Sequence, residues 1–168
     1  EREFVAAKAF LPQALSELCQ YLKSSAPALI EAYQKAKDIE HKRTSADATI
    51  PVTPSSHIVV FSDCIKSATP EVAQYLASVL MKLQVHNARM QMLPSEGGGY
   101  LPYTMSCLYS LVELQVLVNA LFDYARNKKS FEGCKHTMVQ YSSALNELGL
   151  KGDDYEELFA YISEMTLG

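Results

Sequence analysis

The chain has 168 residues, of which 48% are hydrophobic and 20% charged, and its formal net charge is −4. A chain of that length suits one domain that buries roughly two thirds of the surface its unfolded form exposes, so it needs no cross-link to be stable. An acidic balance without a basic stripe argues against a binder of the phosphate backbone, and no nucleic-acid partner is expected.

The first segment places Phe4, Leu11, Leu15, Leu18 and Leu22 at helical spacing with Pro12 inside it. Proline lacks an N–H and clashes with the preceding turn, so a lead helix should end near Phe10 and a new one begin at Pro12. Ser24, Ser25 and Ala26 then interrupt the pattern, and Pro27 suits the first turn of a further helix carrying Leu29, Ile30, Tyr33, Ala36 and Ile39. Residues 44–56 are rich in Thr, Ser, Ala and Pro, with Pro51 and Pro54 both unable to sit inside a helix, and are expected to form the one long, mobile loop.

The stretch from His57 to Ala68 is ambiguous. Ile58, Val59, Val60 and Phe61 read as a short strand, but no second strand exists to pair with them, which leaves a helix with Ile58, Phe61, Ile65 and Ala68 on its core face and Ser55 or Ser56 as cap. Thr69-Pro70-Glu71 opens the next helix: a capping hydroxyl, a first-turn proline and an acid where the helix dipole favours one. Its core positions are Val72, Leu76, Val79, Leu80, Leu83 and Met90, and it should end before Pro94. Gly97, Gly98 and Gly99 follow. They lack the Gly-Lys-Ser/Thr of a phosphate loop and a preceding strand, so they read as a connector.

Tyr103 to Lys129 is the most apolar stretch and is expected at the centre of the fold. Cys107, Leu111, Leu114, Val118, Leu121 and Ala125 form one stripe in steps of four and three. Met105, Leu108, Val112, Val116, Leu117, Phe122 and Tyr124 lie beside it, which leaves a thin polar strip of Ser106, Ser110, Glu113, Asn119, Asp123 and Asn127. Glu113 and Asp123 interrupt the run, so a membrane span is not expected. A carboxylate at Glu113 must be paired or lie on the wet strip, and the strip is the simpler reading. Ser130 is placed as the cap of a helix with Phe131, Cys134, Met138, Tyr141, Leu145 and Leu148 inward, which Gly149 stops. Asp153 and Glu156 resemble a capping pair for a last helix with Tyr155, Leu158, Phe159, Ile162 and Met165 on its apolar face.

The expected fold is therefore all-α, a single-domain bundle of five to seven mostly antiparallel helices around the helix at about 103–129. From Glu147 onward six acids face one lysine, which reads as a solvated terminal face. The absence of an initiator Met and of a signal-like apolar core suggests a piece of a longer protein. Cys19, Cys64, Cys107 and Cys134 show no CxxC spacing, and Cys19, Cys107 and Cys134 fall on or beside apolar faces, as reduced thiols do, which points to an intracellular, cytoplasmic setting. No ligand spacing for zinc or a carboxylate-bridged metal is present, and neither metal nor cofactor is expected.

These residues favour a helical adaptor or scaffold module that holds a partner's helix or short peptide segment in a groove between helices, with self-association left open. The partner surface is placed at Met90, Met92, Leu93, Tyr100, Leu101 and Tyr103, where adaptable methionines and large rigid tyrosines flank a glycine-hinged connector. Two rivals stand beside it. One is an enzyme, conceivably a cysteine hydrolase, drawing on Cys64, His57 or Glu113. The other is a structural dimerisation bundle. Cys134 and His136 cannot act as nucleophile and base from one helix, since residues two apart point about 200° away from each other.

Overall fold

The computed structural model describes residues 2–38, 49–96, 100–133, 135–151 and 153–167. Of these, 82% are helical and none is in a strand. The elements are α1 (Arg2–Ala9), α2 (Leu11–Lys37), α3 (Ser56–Ser67), α4 (Pro70–Glu96), α5 (Leu101–Ala125), α6 (Met138–Glu147), a single 3₁₀ turn at Asp153–Tyr155, and α7 (Glu156–Leu167). The expected all-α bundle is what the chain forms.

Helix α5 is the hub and packs against α2, α4, α6 and α7, with α2 the most extensive neighbour. All six residues of its first stripe are buried. Among the described residues α5 is the one helix long and apolar enough to cross a bilayer, and here most of its apolar surface is covered by the other helices. Lys8, just ahead of α2, reaches Asn127 while Cys19 of α2 meets Asn119, so α2 runs opposite to α5. Tyr75, Lys82 and Arg89 of α4 meet Leu117, Glu113 and Ser110 in turn, which makes α4 antiparallel to α5 as well.

The expected break at Phe10 is present. The expected restart at Pro27 is not, and α2 runs unbroken through it. Ser24 and Ser25 donate their hydroxyls to the carbonyls of Gln20 and Tyr21, at 2.8 and 2.9 Å, and stay helical. Pro27 itself is exposed, so the carbonyl it leaves without a donor, that of Lys23, faces water, where the loss costs least. Helix α4 likewise continues past the exposed Pro94, to Glu96, rather than ending before it.

Helix α3 forms as expected, but its buried face is His57, Phe61 and Cys64. Ile58 and Val59 are 53% and 64% exposed. Ser55 sits at the N-cap without a side-chain cap bond, and Ser56 instead bonds Glu17 of α2. That bond and the burial of Phe61 turn the helix toward α2. In α7, Leu158 and Ile162 are buried while Phe159 and Met165 stay about half exposed, so the inward face is narrower than the five expected residues.

The largest departure is between α5 and α6. Helix α5 ends in a Schellman turn: Asn127 has φ 57°, and the N–H groups of Asn127 and Lys128 bond the carbonyls of Tyr124 and Asp123. Ser130 caps nothing, and the described residues from 130 to 136 are not helical. The helix begins only at Met138, where Thr137 and Gln140 form a capping box. Tyr109 stacks on Tyr141 and Asn119 bonds Glu147, so α6 runs parallel to α5, an exception to the antiparallel rule. The chain must therefore travel back about 24 Å along α5 between the two helices, and only extended backbone covers that distance in so few residues. Gly149, at φ 79°, closes α6 with a second Schellman turn in which Leu150 bonds back to Leu145.

Residues 49–55 are non-helical, and Thr53 is tied to Asn87 of α4 by a 2.6 Å bond. The rest of the expected 44–56 loop, residues 44–48, lies outside the described residues, as do Gly97 to Gly99, Ile39 and Cys134. Cys19, Cys64 and Cys107 are free thiols, the last two buried.

Candidate functional site

The six residues expected to form a partner surface are not brought together as one. Met90 is 0% and Leu93 2% exposed, because both continue the inward row of α4 that also carries Val79, Leu83 and His86. Reaching them would mean opening the core. Leu101 is half-buried against that core. Met92, Tyr100 and Tyr103 remain accessible around the junction of α4 and α5.

The more developed feature is a cleft of about 1050 Å³ on the other side of the α4–α5 seam. Tyr75, Lys82 and Arg89 recur every seven residues, which returns them to one edge of α4, and each crosses to α5. The Tyr75 hydroxyl donates to the Leu117 carbonyl at 3.0 Å, Lys82 pairs with Glu113 at 2.9 Å, and Arg89 donates to the Ser110 hydroxyl at 2.7 Å. Long arms spanning the seam leave open space between the helices. Two of them, Tyr75 and Lys82, line the cleft with Glu113, and its far walls are the returning segment around Phe131 and His136 and the end of α7 at Met165 and Thr166.

Glu113, the carboxylate singled out by sequence, is thus both partly exposed and paired, with Lys82 supplied by α4. His136 Nε2 lies 3.3 Å from the Tyr75 oxygen. Since the Tyr75 proton is committed to Leu117, the imidazole donates from Nε2 and keeps Nδ1 as an acceptor. Burial holds His136 below its ordinary pKa, opposed in part by Glu113, so the ring is neutral at pH 7. Tyr109 stacks on Tyr141 with centroids 6.5 Å apart and meets the edge of Tyr161. Burial, and next the Glu113 carboxylate, push the Tyr109 phenol well above its usual range, and burial also raises Tyr141. Both phenols therefore stay protonated at neutral pH.

The residues considered for an enzyme stand apart. Cys64 is buried on α3, and burial followed by the neighbouring Asp63 pushes its thiol up, the opposite of an activated nucleophile. Burial depresses His57, opposed in part by Glu17. Neither lines the cleft that holds Glu113. Among the described residues no three His, Cys, Asp or Glu side chains converge as metal ligands would.

Sequence reasoning missed Tyr75, Lys82, Tyr109, Tyr141 and Thr166 at this site. The seven-residue recurrence of Tyr75, Lys82 and Arg89 was a readable signal, but it acquires meaning only once α4 is known to lie antiparallel to α5. Comparison of the chain with protein-family models, curated proteins and solved structures finds no match.

Proposed function

We propose that the chain is a helical interaction module that holds a short segment of a partner protein in the cleft between α4, α5, the returning segment and α7. The observation that carries this reading is the cleft itself. At about 1050 Å³ it lies at or above the upper end of the roughly 300–1,000 Å³ of small-molecule sites, which suits several linked residues better than one metabolite. Its lining offers Leu117, Phe131 and Met165 to apolar side chains, while Lys82, Glu113 and His136 offer charge and hydrogen bonds to a peptide backbone.

The test is selection from a display library of peptides tiled across a proteome, run in parallel on wild type and on two rim variants, Lys135→Glu and Met165→Asp. Both positions are exposed, so the fold should be retained, as thermal melting will verify. Peptides enriched on wild type and lost on both variants support the cleft. Enrichment that ignores both changes, or no enrichment at all, overturns it.

A further inference from the structure

The face of α4 that points away from the core is uncharged along its length, and its residues match one another when the helix is turned end over end. At about 100° per residue, Met81 and Ala88 stand opposite the buried row of Val79, Leu83, His86 and Met90. Ala77, Gln84, Val85 and Met92 flank them. All six are exposed, with Met81 at 63%, Val85 at 49% and Met92 at 47%. The charged residues of the helix, Glu71, Lys82 and Arg89, are all gathered along the edge toward α5, apart from the terminal Glu96. A stripe about 22 Å long therefore carries no charge.

We propose that this stripe pairs with the same stripe of a second copy of the chain, the two α4 helices lying antiparallel across a two-fold axis between Gln84 and Val85. Such an axis sets Ala77 against Met92 and Met81 against Ala88, with each Gln84 and each Val85 beside its own symmetry mate next to the axis. Every apolar pair joins a small side chain to a large one, so the helices stay at even separation along the contact. A parallel pair would stack methionine on methionine and alanine on alanine, alternating bulges with gaps. Two copies of an uncharged stripe meet without like-charge repulsion, and the axis lets each Gln84 amide reach its symmetry mate as donor and acceptor. A strongly charged partner would find nothing here to pair with. Six side chains are roughly a quarter of the 20–30 residues per side of a standard stable interface, which places the dimer at the weak end of specific association. The cleft proposed above lies across the Lys82 edge of α4, so the two surfaces can be occupied independently.

Sedimentation equilibrium of the full chain up to about 1 mM, the range of weak specific complexes, should show monomer passing to dimer without higher species. Met81→Glu should weaken the dimer at least tenfold at unchanged melting temperature, since position 81 is exposed. Orientation is read by cysteine pairing. Under mild oxidation an equimolar mixture of Ala77→Cys and Met92→Cys should form a mixed disulfide faster than either protein links to itself or than wild type does. A chain that stays monomeric to that concentration, a dimer indifferent to Met81→Glu, or self-linking of each variant in preference to the mixture would each overturn the proposal.

Discussion

The two long seams of the hub helix are built differently. Against α2, α5 buries leucines and alanines: Leu15, Leu18, Leu22, Leu29 and Ala32 on one helix and Leu111, Leu114, Val118 and Leu121 on the other are at most 1% exposed. Against α4 it is also met by a tyrosine, a lysine and an arginine, whose length holds part of the seam open. The dry seam supplies the free energy of the fold, and the bridged seam leaves room for a site. A helix that must do both is apolar nearly all round but keeps one polar strip, which is the pattern of Ser106, Ser110 and Glu113.

The contrast can be broken most directly from the dry side. Leu22→Ala, at a fully buried position, should cost about 2–5 kcal/mol through lost burial and the cavity left behind. Denaturant unfolding measures it, and a loss below about 1 kcal/mol would mean that α2 and α5 are less tightly packed than their burial implies.

Acid should act where α2 and α4 meet. His86 is 1% exposed, its ring meets the edge of Tyr21, and burial, with a smaller repulsion from Arg89, lowers its pKa to about 4. In the unfolded chain the same ring takes up its proton near pH 6.5. Protonation therefore favours unfolding: the stabilisation from keeping His86 neutral is complete above about pH 6.5 and is lost as pH falls toward 4, a difference of about 3 kcal/mol. His57 and His136, also depressed, act in the same direction. Unfolding free energies at pH 7 and pH 4.5 should fall more steeply for wild type than for His86→Leu, and parallel slopes would exclude the mechanism.

Two smaller effects sharpen the comparison. Thr137→Ala removes the capping box that starts α6 and should cost about 1 kcal/mol, read as a lower melting temperature. Lys82→Met breaks the ion pair with Glu113 at a position where the lysine is 40% exposed, so it should cost less than about 1 kcal/mol, an effect that shrinks in high salt. If Lys82→Met proved as damaging as Leu22→Ala, the bridged seam would be part of the core and not a frame for the cleft.

The central helix was legible from sequence because its apolar stripe has one period over its whole length and no competing reading. The start at Thr69-Pro70 was legible for a local reason, three start signals in three residues. Pro27 misled because the carbonyl it orphans lies on an exposed stretch of α2, and exposure is not written in the local sequence, while Pro94 stands within the last turn of α4 and only shifts where that helix ends. The stretch from 130 to 137 misled because its apolar spacing fits a helix, while the return path along α5 demands extended chain. The cleft was illegible for a related reason: Tyr75 and His136 are 61 residues apart and meet only through the packing of α4, α5 and the returning segment.

The dry seam also dictates when the molecule can assemble. Cys19 and Asn119, which touch across it, are 100 residues apart in the chain. Closing a loop of that size costs about 2 kcal/mol more than closing one of about ten residues, and it must be met before the leucines of α2 and α5 return anything. Helices α3 and α4, joined by two residues and packed on each other, face no such delay. The most extensive helix–helix contact in the protein thus joins distant segments, which predicts slower folding than its all-helical content suggests, with the α3–α4 hairpin protected before α2 and α5 in pulsed hydrogen exchange.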